Sequence, residues 1–413
     1  MKIRPIIIII PLLILVLALV GGSILIWRLF FFILLVFLLS YLWAFLNLRG
    51  IEVQVEKSSE HFKVGEWFDE EVTVLNRSRL PKFKVTIEEV TNLPGQHNNI
   101  FSLDLPPRST HRWQSKFHCQ HRGRYKLGSF KITASDPFGF FNIRRNIGND
   151  HSIIVYPATL ELPLFQPESY NMPDYGPSSW LQREVAPDVA RVREYANGDT
   201  LNHIHWHSTA HTGKLMVKVF DAEHLKYSIK NIWLILNMHQ AIQSGSGNET
   251  TEEYSITIAS SLMKKYIDSG KQVGLITSGS QDYLFTPDTG DEHLQKVLEA
   301  LALIKATGNL PIDELISDKT ELFKSDSAII IISPSADDRI TEVARYLEKR
   351  DTMVIVILLD SASFGKPVST ASMPKRLISS GVSIYYVKSG QNLARALDSR
   401  TSSSSLRFAG ERK

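Results

Sequence analysis

Apolar residues run almost unbroken from Ile6 to Leu48, give way to short alternating segments, and return after Ile232 as compact blocks between amphipathic stretches. As one helix, the first run would extend about 60 Å at 1.5 Å per residue, roughly twice a hydrocarbon core. Gly21-Gly22-Ser23 and Arg28 interrupt it, so the pattern predicts two helices joined near residues 21–28. An arginine at mid-membrane costs about 2.5–3.5 kcal/mol, which places Arg28 near a turn at the interface. Residues 1–49 are therefore expected to form a two-helix transmembrane hairpin in the lipid bilayer. Lys2 and Arg4 precede the first helix and Arg49 and Lys57 follow the second, with only Arg28 between them. The positive-inside rule then puts both termini and the soluble domains in the cytoplasm. A cleaved signal peptide fits less well, because no Ala-x-Ala-like site follows and a second apolar run comes at once.

Residues 50–160 read as all β. Ile51, Val53 and Val55 alternate, as do Val72 and Val74, then Val85 and Ile87, with Asn76-Arg77-Ser78 as a turn signal. Such spacing predicts a β-sandwich of immunoglobulin-like type. Asp136-Pro137-Phe138-Gly139 reads as a structural corner, with φ fixed by Pro and freed by Gly. Residues 161–190 carry Pro163, Pro167, Pro173, Pro177 and Pro187 and read as an extended connector. From 225 to 398 the pattern becomes α/β. Ile232 to Leu236 is a strand apolar on both faces, and Val273–Thr277, Ala328–Ile332, Met353–Leu359 and Val382–Val387 are further strands. Ile258, Leu262 and Tyr266 mark one helical face, with more helices near 291–305 and 337–350. The alternation predicts a parallel, doubly wound sheet. Residues 399–413, with Ser402 to Ser405, read as a disordered tail.

Composition narrows the function classes. With 46 basic against 43 acidic residues, no strong field steers this chain onto nucleic acid. Cys119 is the sole cysteine, which excludes an internal disulfide framework and a Cys-based zinc cluster. No Walker-type phosphate loop is present, so nucleotide hydrolysis is not expected of this chain, and no cofactor is implied.

The densest chemistry lies at residues 191–224. Arg193-Glu194-Tyr195, Gly198-Asp199, Ile204-His205-Trp206 and Lys214-Leu215-Met216-Val217-Lys218 follow one another, after Asp136-Pro137-Phe138-Gly139-Phe140 and Val155-Tyr156-Pro157 upstream. This ordered set resembles the signature of the family called domain of unknown function 58. His207 and His211 depart from it, standing where that family more often has Lys and Arg. The resemblance implies a membrane-anchored protein with a von Willebrand factor A-like domain, associated with a MoxR-type AAA+ ATPase. Arg193, Glu194, Tyr195, Gly198, Asp199, Trp206, Lys214 and Lys218 are the candidates for either a domain seam or a partner-docking face. Paired Arg and carboxylate groups define geometry, and Trp206 adds area with a polar N–H handle.

A von Willebrand A-like domain with a metal-dependent adhesion site would place Asp-x-Ser-x-Ser after its first strand. Here those positions are Asn237, His239 and Ala241, and a later strand ends in Ser333-Pro334-Ser335. A hard divalent cation needs anionic oxygens, so the fold is expected without the metal site. His203, His205 and His207 offer a rival metal site, since on a strand they would share one face. Their spread over roughly 13 Å at about 3.3 Å per residue argues against a single ion. The resulting expectation is a non-enzymatic membrane scaffold that works with an AAA+ ATPase in assembling or remodelling membrane-associated complexes. Alternatives are a metal-dependent hydrolase centred on His203–His211 and an extracytoplasmic adhesion module.

Overall fold

The computed structural model describes residues 2–3, 6–56, 61–95, 99–148, 150–165, 189–196, 204–220, 229–324, 327–334, 338–350, 352–366 and 382–398. The chain divides into two compact units, residues 1–158 with 296–304, and residues 159–295 with 305–413.

The first unit opens with strand β1 (Lys2–Ile3), helix α1 (Ile6–Gly21) and helix α2 (Ile24–Leu48). Gly22, at φ 59°, turns the chain between the helices, a conformation that strains any side chain. The two helices pack on each other. α2 is long and apolar enough to cross a membrane by length and composition, and α1 is a shorter apolar helix. Next come β2 (Ile51–Glu56), β3 (His61–Lys63), β4 (Trp67–Asn76), β5 (Lys82–Val90), β6 (Ile100–Leu105), β7 (Thr110–His118), β8 (Gly123–Leu127), β9 (Ser129–Ser135), β10 (Phe141–Ile147) and β11 (His151–Tyr156). They form sheets in the orders β1-β10-β9-β5-β6, β2-β4-β7 and β3-β11-β8. The expected alternation is what builds the core. Val72 and Val74 from the second sheet meet Val85, Ile87, Phe130 and Ile132 from the first, all fully buried.

Helix α2 runs into this core without a linker. Leu48 and Ile51 belong to the same cluster as Val72 and Ile87. Asn47, buried, donates from Nδ2 to the Phe83 carbonyl (2.7 Å) and accepts from the Phe83 N–H (2.9 Å). The ammonium of Lys82, also buried, donates to the Leu46 carbonyl at the helix C-terminus, where the helix dipole favours a cation. Burial pushes the pKa of Lys82 down, because the charged form is partly stripped of water.

The second unit carries β12 (Val189–Glu194), α3 (Trp206–Thr212), β13 (Met216–Phe220), β14 (Asn231–Leu236), β15 (Gly245–Ser246), β16 (Glu249–Thr250), α4 (Thr251–Asp268), β17 (Gln272–Ser278) and β18 (Asp282–Asp288). There follow α5 (Asp291–Leu303), which passes into the 296–304 segment, α6 (Ile312–Ser317), β19 (Ser327–Ser333), α7 (Asp338–Glu348), β20 (Met353–Leu359), β21 (Ser383–Val387) and α8 (Leu393–Ala396). The main sheet has the order β18-β17-β14-β19-β20-β21. All neighbours in it are parallel except β17 and β18. The sheet is thus mixed, where the sequence pattern predicts a parallel one. Only Gly279–Gln281 separates β17 from β18, and so short a link permits a hairpin but no crossover helix. β14, β19 and β20 are buried on both faces, as their continuous apolar runs require. Leu162 and Phe165, from the start of the expected connector, are buried, and the Lys265 ammonium donates to both of their carbonyls. The rest of that connector, 166–188, and the 399–413 tail lie outside the described residues.

The junction at Asn47 predicts a specific cost. Asn47→Ala leaves both backbone groups of Phe83 without their partner and should lower stability by about 1–3 kcal/mol. Thermal unfolding of the detergent-solubilised protein measures this, and an unchanged midpoint would show the bonds to be dispensable.

Candidate functional site

The signature segment folds into a small module of the second unit. β12 and β13 pair antiparallel, with Arg193 opposite Val217 and Glu194 opposite Met216. Ile204, buried, forms an antiparallel bridge to buried Val217. The His205 side chain caps α3: its Nδ1 accepts from the Ser208 N–H (3.2 Å) and lies 2.7 Å from Ser208 Oγ. Gly213, at φ 69°, ends the helix, and Thr209 Oγ1 accepts from the Met216 N–H (3.0 Å) to tie it to β13. On this scaffold the Lys214 ammonium donates to Glu194 Oε1 at 2.7 Å, and that bond raises the pKa of the exposed Lys214. Arg193 donates to the Glu194 carbonyl (3.1 Å). Tyr195 and Lys218 are half-buried, whereas Trp206 is 68% exposed, a large apolar surface left to solvent. Gly198, Asp199 and His203 lie outside the described residues.

The described histidines do not share a strand face: His205 caps a helix, and His207 and His211 stand on successive turns of it, their ring centroids 6.2 Å apart. The difference from the sequence pattern arises because the His205 side chain caps the helix at the Ser208 N–H and Gly213 supplies its C-terminal geometry. Among the described residues, no group of three or more His, Cys, Asp and Glu side chains could hold a metal ion.

A second candidate follows from topology. In an open α/β sheet, ligands bind beyond the carboxyl ends of the strands where the order reverses. Here that place lies between β14 and β19. Four neutral side chains, Asn237, Ser333, Gln243 and Thr251, bond there. Buried Asn237 donates from Nδ2 to Ser333 Oγ (3.0 Å), and its Oδ1 accepts from the His239 N–H (3.3 Å). Gln243 Nε2 donates to the Asn237 carbonyl (3.1 Å), while Thr251 Oγ1 donates to Gln243 Oε1 (2.8 Å). Ala241 offers only its carbonyl, which accepts from the Lys366 ammonium. An amide, hydroxyls and a carbonyl can orient one another here, and residues 237, 239 and 241 contribute no anionic oxygen.

The sequence pattern passed over a third feature, a pair of buried carboxylates in the first unit. Glu70 is 2% exposed and Glu89 1%. Ser115, opposite Glu70 in the β4–β7 ladder, donates to Glu89 Oε2 (2.9 Å), and His151 Nε2 lies 3.1 Å from Glu70 Oε1. Among the described residues, Glu70 Oε2 and Glu89 Oε1 have no hydrogen-bond partner. Burial, reinforced by the Glu89 charge, pushes Glu70 up to about 7, and burial raises Glu89 against the hydrogen bonds from Ser115 and Asn99. The signal was in the alternation: Glu70 has the parity of inward Phe68, Val72 and Val74, and Glu89 that of Val85 and Ile87.

The family match lies mainly in the second unit. Residues 191–367 match the family described as protein of unknown function DUF58. The chain is 22% identical over 306 residues to the uncharacterized protein YeaD of Bacillus subtilis strain 168, an alignment covering 71% of this chain and 73% of that one. Among solved structures, the CARDB domain of a Pyrococcus furiosus protein aligns with 24% of this chain and 93% of its own length, at 13% identity and a TM-score of 0.19. The C-terminal domain of wzt aligns with 27% of this chain and 75% of its own, at 10% identity and a TM-score of 0.22. Scores this low carry no information about the fold.

The buried pair makes stability depend on pH. Glu70 holds its proton more tightly folded, near 7, than at its ordinary 4.5, so its contribution is complete below 4.5 and is lost as pH rises through about 7. The loss is on the order of 3 kcal/mol, and Glu70→Gln should flatten the dependence of the unfolding midpoint between acid and mildly alkaline pH. A wild-type midpoint that rises over that interval would contradict this sign. At the switch point, Asn237→Asp keeps the shape but buries an anion beside Ser333, and should cost about 1–3 kcal/mol at alkaline pH. Denaturant titration with and without Mg²⁺ checks it, and full recovery with Mg²⁺ would show that only the carboxylate separates this pocket from a cation site.

Proposed function

We propose that this protein is a membrane-anchored, non-enzymatic scaffold that works with a MoxR-type AAA+ ATPase in assembling or remodelling membrane-associated complexes. In this reading α1 and α2 form a two-pass hairpin that places both termini and the soluble units in the cytoplasm. The first unit acts as an immunoglobulin-like spacer. The second is a von Willebrand A-like recognition domain with a degenerate adhesion site. The ATPase supplies nucleotide hydrolysis, and this chain supplies anchoring and recognition.

The observation that carries the reading is Trp206, 68% exposed on a module that also displays the exposed Glu194–Lys214 pair and whose described backbone is tied together internally. Trp is among the residues most enriched in binding hot spots, where a few anchors contribute much of the affinity. The internally bonded switch point supports a degenerate adhesion site, since no anionic ligand oxygen comes from residues 237, 239 or 241 and the Ala241 carbonyl accepts from the Lys366 ammonium. The Lys2 and Arg4 before α1, the Arg49 after α2 and the single intervening Arg28 support the orientation.

Trp206→Ala, made in the full-length protein in detergent, should weaken binding to the purified ATPase by roughly tenfold or more while leaving the unfolding midpoint unchanged. A fall in the midpoint with unaltered affinity would assign Trp206 to the fold instead. Absence of binding by the wild-type protein would remove the ATPase partnership.

A further inference from the structure

The turn between β9 and β10 lies far along α2 from the helix end. Phe140 meets Phe37 edge-on (5.0 Å between centroids), Phe141 meets Tyr41 (5.6 Å), and Trp43 stacks on Phe83 (6.0 Å). Phe37 precedes Leu48 by about 16 Å of helix, so the turn reaches back along the apolar helix rather than away from it. Its shape is fixed. Buried Asp136 accepts the Phe138 N–H at Oδ2 (3.0 Å) and the Phe141 N–H at Oδ1 (2.6 Å), and Gly139 takes φ 70°. This tip holds Phe138 outward, 63% exposed and stacked on Phe140 (5.5 Å). Tyr41, Trp43 and Phe83 are exposed at neighbouring levels.

Along α2, Trp27 and Trp43 stand about 24 Å apart, with Arg28 beside the first, close to the spacing of the two interfaces of a hydrocarbon core of roughly 30 Å. Aromatic side chains with a polar tip collect at those interfaces. Between them, an apolar hollow of about 510 Å³ is lined by six α2 side chains from Phe31 to Tyr41 and closed by Phe141. Its walls are hydrocarbon and aromatic, which suits a lipid acyl chain.

We propose that Tyr41, Trp43 and Phe83 form an aromatic collar by which the β-sheet unit is seated in the phospholipid bilayer interface, and that Phe138, stacked on the Phe140 that meets Phe37 about 9 Å of helix further in than Trp43, is a wedge among the acyl chains. This rests on the reading of α2 as a membrane span. The Asp136–Phe140 turn is then both a structural corner and a lipid-contacting element.

The test uses single nitroxide labels on the full-length protein in vesicles of equal parts phosphatidylcholine and phosphatidylglycerol. Sites are Phe138→Cys, Leu35→Cys on α2 and Lys116→Cys on β7, all exposed. Cys119, fully buried with its thiol pushed up to about 11, does not compete for the label. The ratio of collisions with oxygen to collisions with a water-soluble nickel chelate should be severalfold higher at positions 35 and 138 than at position 116. A lipid-like ratio at 35 with a water-like ratio at 138 overturns the collar and leaves the span intact. A water-like ratio at 35 overturns the span itself. Shielding of position 138 from both reagents would mean that a protein surface covers it, and would equally overturn the lipid assignment.

Discussion

The bond on which the first unit depends is the one between the end of α2 and the start of β5. Asn47 satisfies both backbone groups of Phe83, Lys82 satisfies the Leu46 carbonyl, and Leu48 and Ile51 enter the core on either side of Gly50. A helix terminus leaves carbonyls without partners, and this one finds a buried ammonium among its neighbours. The consequence is mechanical. The apolar helix and the sheets that follow are one body, so whatever the helix inserts into also sets the orientation of the sheets. Phe37, Tyr41 and Trp43 extend the same contact down the helix.

In the second unit the corresponding constraint is polar closure. A doubly wound sheet opens a crevice at its switch point, and in this chain Asn237, Ser333, Gln243 and Thr251 close on one another there. Satisfied neutral groups cost little to bury, whereas a carboxylate would need a cation. Asn237 therefore sits in this crevice with its side-chain hydrogen bonds made to Ser333 and the His239 N–H. Exposed chemistry is concentrated instead on the β12–α3–β13 module, where Trp206 and the Glu194–Lys214 pair stand on capped and tightly bonded backbone.

Much of this was legible in the chain. The strand Met353–Leu359 and the helices beginning near 291 and 338 follow directly from apolar runs and helical periodicity. β18 was missed because an edge strand, Asp282–Asp288, alternates with polar residues and lacks the buried run of its neighbours. The helix at the histidines was not legible, because alternation at His203, His205 and His207 imitates a strand, while the cap made by His205 and the stop at Gly213 act over a shorter range. Glu70 and Glu89 sit at inward parity and so were visible in principle, yet charge is normally read as exposure. Contacts such as Asn47 with Phe83 join residues far apart in sequence, and no local pattern encodes them.

The rigidity of the α2 junction is tested most directly by the distance distribution between spin labels at Leu38→Cys on α2 and Lys116→Cys on β7, in the full-length protein in lipid nanodiscs. Both positions are exposed and belong to the first unit. A single narrow distribution, unchanged by temperature across the folded range, is the predicted result. A broad or multi-component distribution in the wild-type protein would mean that helix and sheets move independently, and would contradict a junction fixed by Asn47 and Lys82.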